Sequence, residues 1–201
     1  MGLVADFIAT RPNEDQLVVI DPVMGDSGST YGPITGEMVE HMRSYIHDAD
    51  IITPNLTEAA FLLDEPYRQD VGEREVRDWI LRLSDMGPGT IIVTSAPEPT
   101  SKKRISVLAY DRTDGRFWKV ACDYIPANYP GTGDAFAIVV VGSILQGDSL
   151  PIALDRAVQC VSIAIRATFG HTHPAREGFL LERVLDTLKG PVVASSYELM
   201  E

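Results

Sequence analysis

Four short segments carry oxygen donors and glycines in patterns suited to holding phosphate. Gly131-Thr132-Gly133-Asp134 opens an apolar stretch. Its glycines permit backbone conformations that other residues resist, and a helix beginning there would aim its first amides at an anion. Asp134, in the first turn of such a helix, could accept the proton of an attacking hydroxyl or simply complement the helix dipole. Asn55-Leu56-Thr57-Glu58 has the spacing of a capping box, and a carboxylate at a helix start beside triphosphate oxygens can also order the waters of a bound Mg²⁺. Asp21-Pro22-Val23-Met24-Gly25-Asp26-Ser27-Gly28 reads as a turn-rich loop with two acidic side chains. Thr94-Ser95 closes an apolar run, a place where hydroxyls often satisfy free backbone groups. Taken singly, each segment has a purely structural explanation.

Other candidates offer less. His171-Thr172-His173 brings two imidazoles to one side after Gly170, too few ligands to complete a zinc site. Lys102-Lys103-Arg104 is the one basic cluster and reads as a solvated strand entrance. Cys122 and Cys160 form neither a CxxC nor a Cys/His ligand spacing and read as free, buried thiols. The formal charge is −12 over 201 residues. Phosphate contacts must therefore come from amides, metal ions or a few local cations, and nucleic acid is a poor partner. No basic segment leads into a long apolar run at the N-terminus, and no stretch reaches membrane-spanning length. The expected location is the cytoplasm, with no membrane partner.

The elements that must position these residues alternate in type. Leu17 to Ile20, Ile51 to Thr53 and Thr90 to Thr94 are short β-branched runs ending in turn or hydroxyl residues, as buried parallel strands do. Between them Gly36 to His47, Thr57 to Leu63 and Glu73 to Met86 repeat apolar residues at helical spacing. This βαβα order predicts an open α/β sheet in a single domain covering residues 1–201. Arg104 to Tyr110 and Arg116 to Tyr124 flank the turn-rich Asp111 to Gly115 and predict an antiparallel hairpin at the sheet edge. Helices are expected over Asp134 to Gln146, over Leu150 to Phe169 with Ser149 as its N-cap, and over Arg176 to Leu188, followed by a polar tail. In such sheets ligands gather beyond the carboxyl ends of the strands, and the oxygen-bearing segments fall at those ends, in order.

That combination resembles a known family. Asp21-Pro22-Val23-Met24-Gly25-Asp26, Asp50-Ile51-Ile52-Thr53-Pro54-Asn55-Leu56-Thr57-Glu58 and Gly131-Thr132-Gly133-Asp134-Ala135-Phe136 are similar to the motifs of pyridoxal kinases in the ribokinase-like superfamily. The likeness runs from about Leu3 to about Leu188. It implies a three-layer fold, a mostly parallel sheet flanked by helices, and ATP-dependent phosphorylation of the 5′-hydroxymethyl group of pyridoxal, pyridoxamine or pyridoxine. Position by position, it implies Asp134 as catalytic base and Gly131, Thr132 and Gly133 as the anion hole. Asp26 and Tyr31 match residues near the nucleotide phosphates and Mg²⁺. Asn55 and Glu58 match the pair that orders the metal and its waters. Asp21 and Thr53 match positions associated with a monovalent cation, usually K⁺, while Thr94 and Ser95 match nucleotide contacts. The implied ligands are thus ATP, Mg²⁺, K⁺ and a B6 vitamer, with a homodimer left open.

Members of the family begin with further strands and a small lid that grips the pyridine ring, and the resemblance enters the motif order after them. It places Met1 in a helix before the Asp21 strand, and it leads one to expect open strand edges and exposed apolar faces. Two alternatives follow: a non-catalytic nucleotide-binding remnant, or a kinase for hydroxymethylpyrimidine, a sugar or another small alcohol.

Overall fold

The computed structural model describes residues 6–8, 10, 15–98, 101, 103–172, 174–190 and 196–201. Met1 and Leu3, Lys102 of the basic run and His173 of the His-Thr-His segment lie outside them. Two compact units are present, one of Met1–Ala96 with Leu108–Phe117, the other of Pro97–Val107 with Trp118–Glu201.

The first unit carries, in chain order, β1 (Val19–Ile20), β2 (Gly25–Asp26), β3 (Ser29–Thr30), α1 (Gly36–Tyr45), β4 (Ile51–Ile52), α2 (Leu56–Leu63), α3 (Glu73–Asp85) and β5 (Thr90–Pro97). β1 pairs in parallel with β4, Val19 opposite Ile51, and β4 pairs in parallel with β5, Ile51 opposite Thr90. Ile20, Ile51, Ile52, Ile91, Ile92 and Val93 are all buried. Uninterrupted apolar runs of this kind mark strands covered on both faces, as the sequence predicts. α3 buries Val76, Trp79, Ile80 and Leu83, one stripe at helical spacing. The loop reading of 21–28 is incomplete, because β2 and β3 form a small antiparallel hairpin, Gly25 opposite Thr30 and Asp26 opposite Ser29. Strands of two residues leave no alternation to detect in the sequence.

A longer hairpin, β6 (Arg104–Asp111) and β7 (Arg116–Asp123), contributes residues to both units. Its turn is closed by the Gly115 amide donating to the Asp111 carbonyl at 2.9 Å, with Gly115 at φ +69°. Arg112 in that turn ties down the end of α3. Its guanidinium donates to the Ser84 carbonyl, to Ser84 Oγ at 2.9 Å, to the Pro88 carbonyl at 3.1 Å and to the Gly87 carbonyl at 3.3 Å. The Ser84 carbonyl lies in the last turn of α3 and also accepts from the Gly87 amide at 3.1 Å, while the Gly87 and Pro88 carbonyls belong to the chain just past the helix, so one guanidinium joins the helix end to the link that follows it.

The second unit is completed by α4 (Thr132–Leu145), α5 (Leu150–Phe169) and β8 (Tyr197–Met200). α4 buries Phe136, Val139 and Val140, and α5 buries Leu154, Val158 and Ala164, while Ile138 and Leu145 of α4 are 70% exposed. Ser149 is the N-cap residue of α5, although its side chain makes no capping bond. Two expectations are corrected here. The expected helix over Arg176 to Leu188 is instead three short 3₁₀ turns, Ala175–Glu177, Leu181–Arg183 and Leu185–Lys189. Gly178 at φ +78° breaks the periodic segment, and the Leu180 amide is taken by Thr168 Oγ1 at 2.9 Å rather than by a helical carbonyl. The expected polar tail forms β8, which lies beyond β7 in the strand order, so the hairpin is not outermost. Trp118 and Tyr197 meet edge to face across that pair, ring centroids 5.8 Å apart, a contact between residues too distant in sequence for any local pattern to announce. Cys160 is buried as expected, while Cys122 is only half-buried. No described helix is long and apolar enough to cross a membrane.

Arg112→Ala should lower the unfolding free energy by roughly 1–2 kcal/mol, read by urea denaturation, with Arg112→Lys recovering less than half because an ammonium cannot reproduce the planar fork.

Candidate functional site

The sequence-predicted residues of the first unit converge on the start of α2. Asn55 is its N-cap, its side chain accepting from the Glu58 amide at 3.0 Å, and Glu58 Oε2 accepts from the Asn55 amide at 2.8 Å. The predicted capping box is therefore real. The same two side chains also reach beyond the helix. Glu58 Oε1 accepts from the Met24 amide at 3.0 Å, and Asn55 Nδ2 donates to the Gly25 carbonyl at 2.8 Å. The capping box of α2 thus fixes the hairpin that carries Asp26, which is exposed and accepts from the Ser27 amide at 2.8 Å.

Neighbouring strand ends complete the cluster. Thr53 Oγ1 donates to Asp21 Oδ1 at 2.8 Å, joining the two residues matched to the monovalent cation. Asn55 and Thr94 form a parallel bridge, and the Thr94 amide donates to the Pro54 carbonyl at 2.9 Å. Ser95 follows at φ +60°, a conformation that a non-glycine residue keeps only where its surroundings enforce it. Tyr31 is 45% exposed, its amide bonded to the Met24 carbonyl at 2.9 Å.

Burial dominates the electrostatics. Glu58 is 4% exposed, and its carboxyl is raised from 4.5 to about 7, first by desolvation, with the Asp21 charge adding to the rise and the backbone amides of Asn55 and Met24 opposing it. Both its oxygens already accept backbone hydrogen bonds, so they suit water-mediated contact with a hard cation better than direct ligation. Among the described residues, no group of three or more His, Cys, Asp or Glu side chains is arranged to enclose a metal ion. His171 lies beside Arg183, Nε2 to Nη1 2.9 Å.

In the second unit, Gly131 is the N-cap of α4 at φ +89° and offers no side chain to the helix start. The Ala135 amide donates to the Gly131 carbonyl at 3.0 Å. The amides of the first turn precede any intrahelical acceptor, and among the described residues no side chain caps them. Thr132 Oγ1 donates back to the Tyr129 carbonyl at 3.2 Å. Asp134 is exposed and folds back toward the turn, its Oδ2 lying 3.9 Å from where a Cβ on Gly131 would stand. This is an open anion-binding helix start with a carboxylate beside it.

Two residues escaped the sequence reading. Thr57, buried inside the capping box, accepts from the Gly28 amide at 3.0 Å, and the Tyr67 ring packs against Gly28. Thr57 could have been suspected from its place between Asn55 and Glu58. Tyr67 lies in irregular chain and carries no local signal.

The raised Glu58 pKa predicts a pH dependence. Between pH 4.5 and about 7 the folded chain holds a proton that the unfolded chain has released. Stability should therefore fall as pH rises through that window, by roughly 3 kcal/mol in all. Urea titrations from pH 5 to 8 should show this decline in the wild type and its absence in Glu58→Gln.

The sequence profile of the phosphomethylpyrimidine kinase family matches residues 1–177. A crystal structure of a Bacteroides thetaiotaomicron protein assigned as a phosphomethylpyrimidine kinase, in a form with pyridoxal, is 51% identical, superposes with a TM-score of 0.95, and shares 99% of this chain and 70% of its own. The pyridoxal kinase of Rubrobacter xylanophilus is 31% identical over 158 residues, 78% of this chain and 53% of its own. That of Sus scrofa is 29% identical over 184 residues, 84% of this chain and 56% of its own. The chain thus spans little more than half the length of these curated relatives. With the profile matching 177 of its 201 residues, the chain belongs to the phosphomethylpyrimidine kinase family, within the ribokinase-like superfamily.

Proposed function

We propose that this chain serves an ATP-dependent kinase that phosphorylates the 5′-hydroxymethyl group of pyridoxal, pyridoxamine or pyridoxine. The observation that carries the reading is the start of α4, a glycine-capped helix N-terminus with Asp134 in its first turn. Its support comes from family membership and from the 51% identical neighbour whose crystal contained pyridoxal.

Phosphoryl transfer asks a protein for in-line positioning and for stabilisation of charge on the transferring oxygens. The amides of Gly131, Thr132 and Gly133 take the γ-phosphate oxygens as their charge redistributes. Asp134 accepts the proton of the acceptor hydroxymethyl group while its oxygen bonds to phosphorus and the bond from phosphorus to the ADP oxygen breaks. An aspartate is a weak base, but its help is needed only as the attacking oxygen begins to lose its proton. In the first unit, Asp26 and Glu58 are the residues to hold Mg²⁺, Glu58 through water, and Asp21 and Thr53 are those to hold K⁺. All are hard oxygen donors, as these cations require. Magnesium, when bound, screens the triphosphate charge. Because Glu58 must be ionised to act on it, metal affinity rises with pH through about 7. Tyr31, Asn55, Thr94 and Ser95 bind and orient the nucleotide.

A second acceptor, hydroxymethylpyrimidine, offers the same alcohol chemistry on the ring type for which the matched family is named. Release of ADP measured against pyridoxal, pyridoxamine, pyridoxine and hydroxymethylpyrimidine, with and without K⁺, separates the two acceptors. Asp134→Asn should reduce turnover by roughly 10²–10⁴-fold while nucleotide binding persists. Turnover close to wild type in that variant would remove Asp134 from the mechanism.

A further inference from the structure

The hairpin that carries Asp26 is held at its tip by two side chains that have no part in the chemistry above. Ser27 and Gly28 form the tip at φ +51° and +80°, so the turn requires left-handed backbone at both central positions, one of them a serine. A serine stays there only when the surroundings over-determine it. The Gly28 amide donates to Thr57 Oγ1 at 3.0 Å, and Thr57 is 2% exposed. A Cβ added to Gly28 would stand 2.5 Å from Tyr67 Cδ1. The aromatic ring therefore lies directly on the turn backbone and leaves room for glycine alone. Burial and then the Asp26 charge push the Tyr67 phenol up, with the Thr57 hydroxyl acting in the opposite direction. Phenol, hydroxyl and carboxylate accordingly share one neighbourhood at the tip.

These contacts differ in kind from those at the hairpin base. At the base, Asn55 and Glu58 bond to Gly25 and Met24, and the same side chains cap α2, so changing them disturbs the helix as well. At the tip, the Thr57 hydroxyl and the Tyr67 ring meet the turn itself. With only two residues in each strand, the β2–β3 ladder is too short to fix its own turn.

We infer that Thr57 and Tyr67 are positioning residues that lock the hairpin tip and so present Asp26 to the nucleotide phosphates in a single arrangement. This rests on the kinase reading above. Without the lock, the turn samples other conformations, and nucleotide binding must order it again, which lowers affinity while leaving Asp134 and the α4 amides as they were.

The test uses the full chain, with Mg²⁺·ATP binding followed by calorimetry and hydrogen exchange of the Gly28 amide followed in parallel. Thr57→Val should weaken Mg²⁺·ATP binding about tenfold, the scale of one lost hydrogen bond plus the ordering of a freed turn, and should accelerate Gly28 exchange. Thr57→Ser, which keeps the hydroxyl, should restore both. Tyr67→Ala should reproduce the Thr57→Val result, and Tyr67→Phe, which keeps the ring on Gly28, should stay near wild type. In steady-state assays the loss should appear in KM for ATP, with kcat little changed. Faster Gly28 exchange with unaltered ATP affinity would overturn the positioning role. Unaltered exchange in both Thr57→Val and Tyr67→Ala would overturn the lock itself. A wild-type chain that binds no Mg²⁺·ATP would overturn the kinase reading and this inference with it.

Discussion

A helix N-terminus leaves amide donors with no partner inside the helix, and something must take them. In α2 the answer is the pair Asn55 and Glu58, and the rest of the first-unit cluster depends on how they do it. Each spends part of its hydrogen-bonding capacity on the helix and part on the start of the β2–β3 hairpin, where Met24 and Gly25 are held. One local solution to a backbone problem thereby sets the place of a second element more than twenty residues earlier in the chain. Its consequence is a carboxylate taken out of water beside another acid, which explains why Glu58 titrates far from its usual range.

The start of α4 meets the same requirement by the opposite route. Gly131 brings the chain into the helix through a left-handed turn and contributes no capping side chain. The donors that Asn55 and Glu58 satisfy in α2 stay available in α4, and an anion is the partner that the helix dipole favours there. One helix start is closed by its own side chains and used as scaffold, the other is open and suited to charge that arrives with a substrate. The apolar body of α4, packed within its unit through Phe136, Val139 and Val140, gives that open end a rigid support.

Sequence pattern was a good guide wherever a single segment carried its own signal. The spacing of Asn55 and Glu58, the burial of the β-branched runs, the stripe of Val76, Trp79, Ile80 and Leu83, and the turn around Gly115 each follow from local rules that neighbours do not override. It failed where the deciding partner was remote. The segment from Arg176 has helical spacing, but Gly178 adopts positive φ and Thr168, from α5, takes the Leu180 amide, so short 3₁₀ turns replace a helix. β8 exists because β7 offers it an edge, which no feature of its few residues could announce.

By itself the sequence determined the α/β class, the helix starts and the chemical types available at them, because capping, periodicity and turn formation act over a few residues. The resemblance that assembles those pieces into a kinase was also legible there, since three motifs in a fixed order are specific where each alone is not. Only the tertiary structure decided that the capping box of α2 holds the Asp26 hairpin, that Glu58 is buried enough to resist ionisation, and that Thr57 and Tyr67 close on the turn. Those facts depend on desolvation and on contacts between residues distant in the chain, quantities that do not exist until the chain is folded.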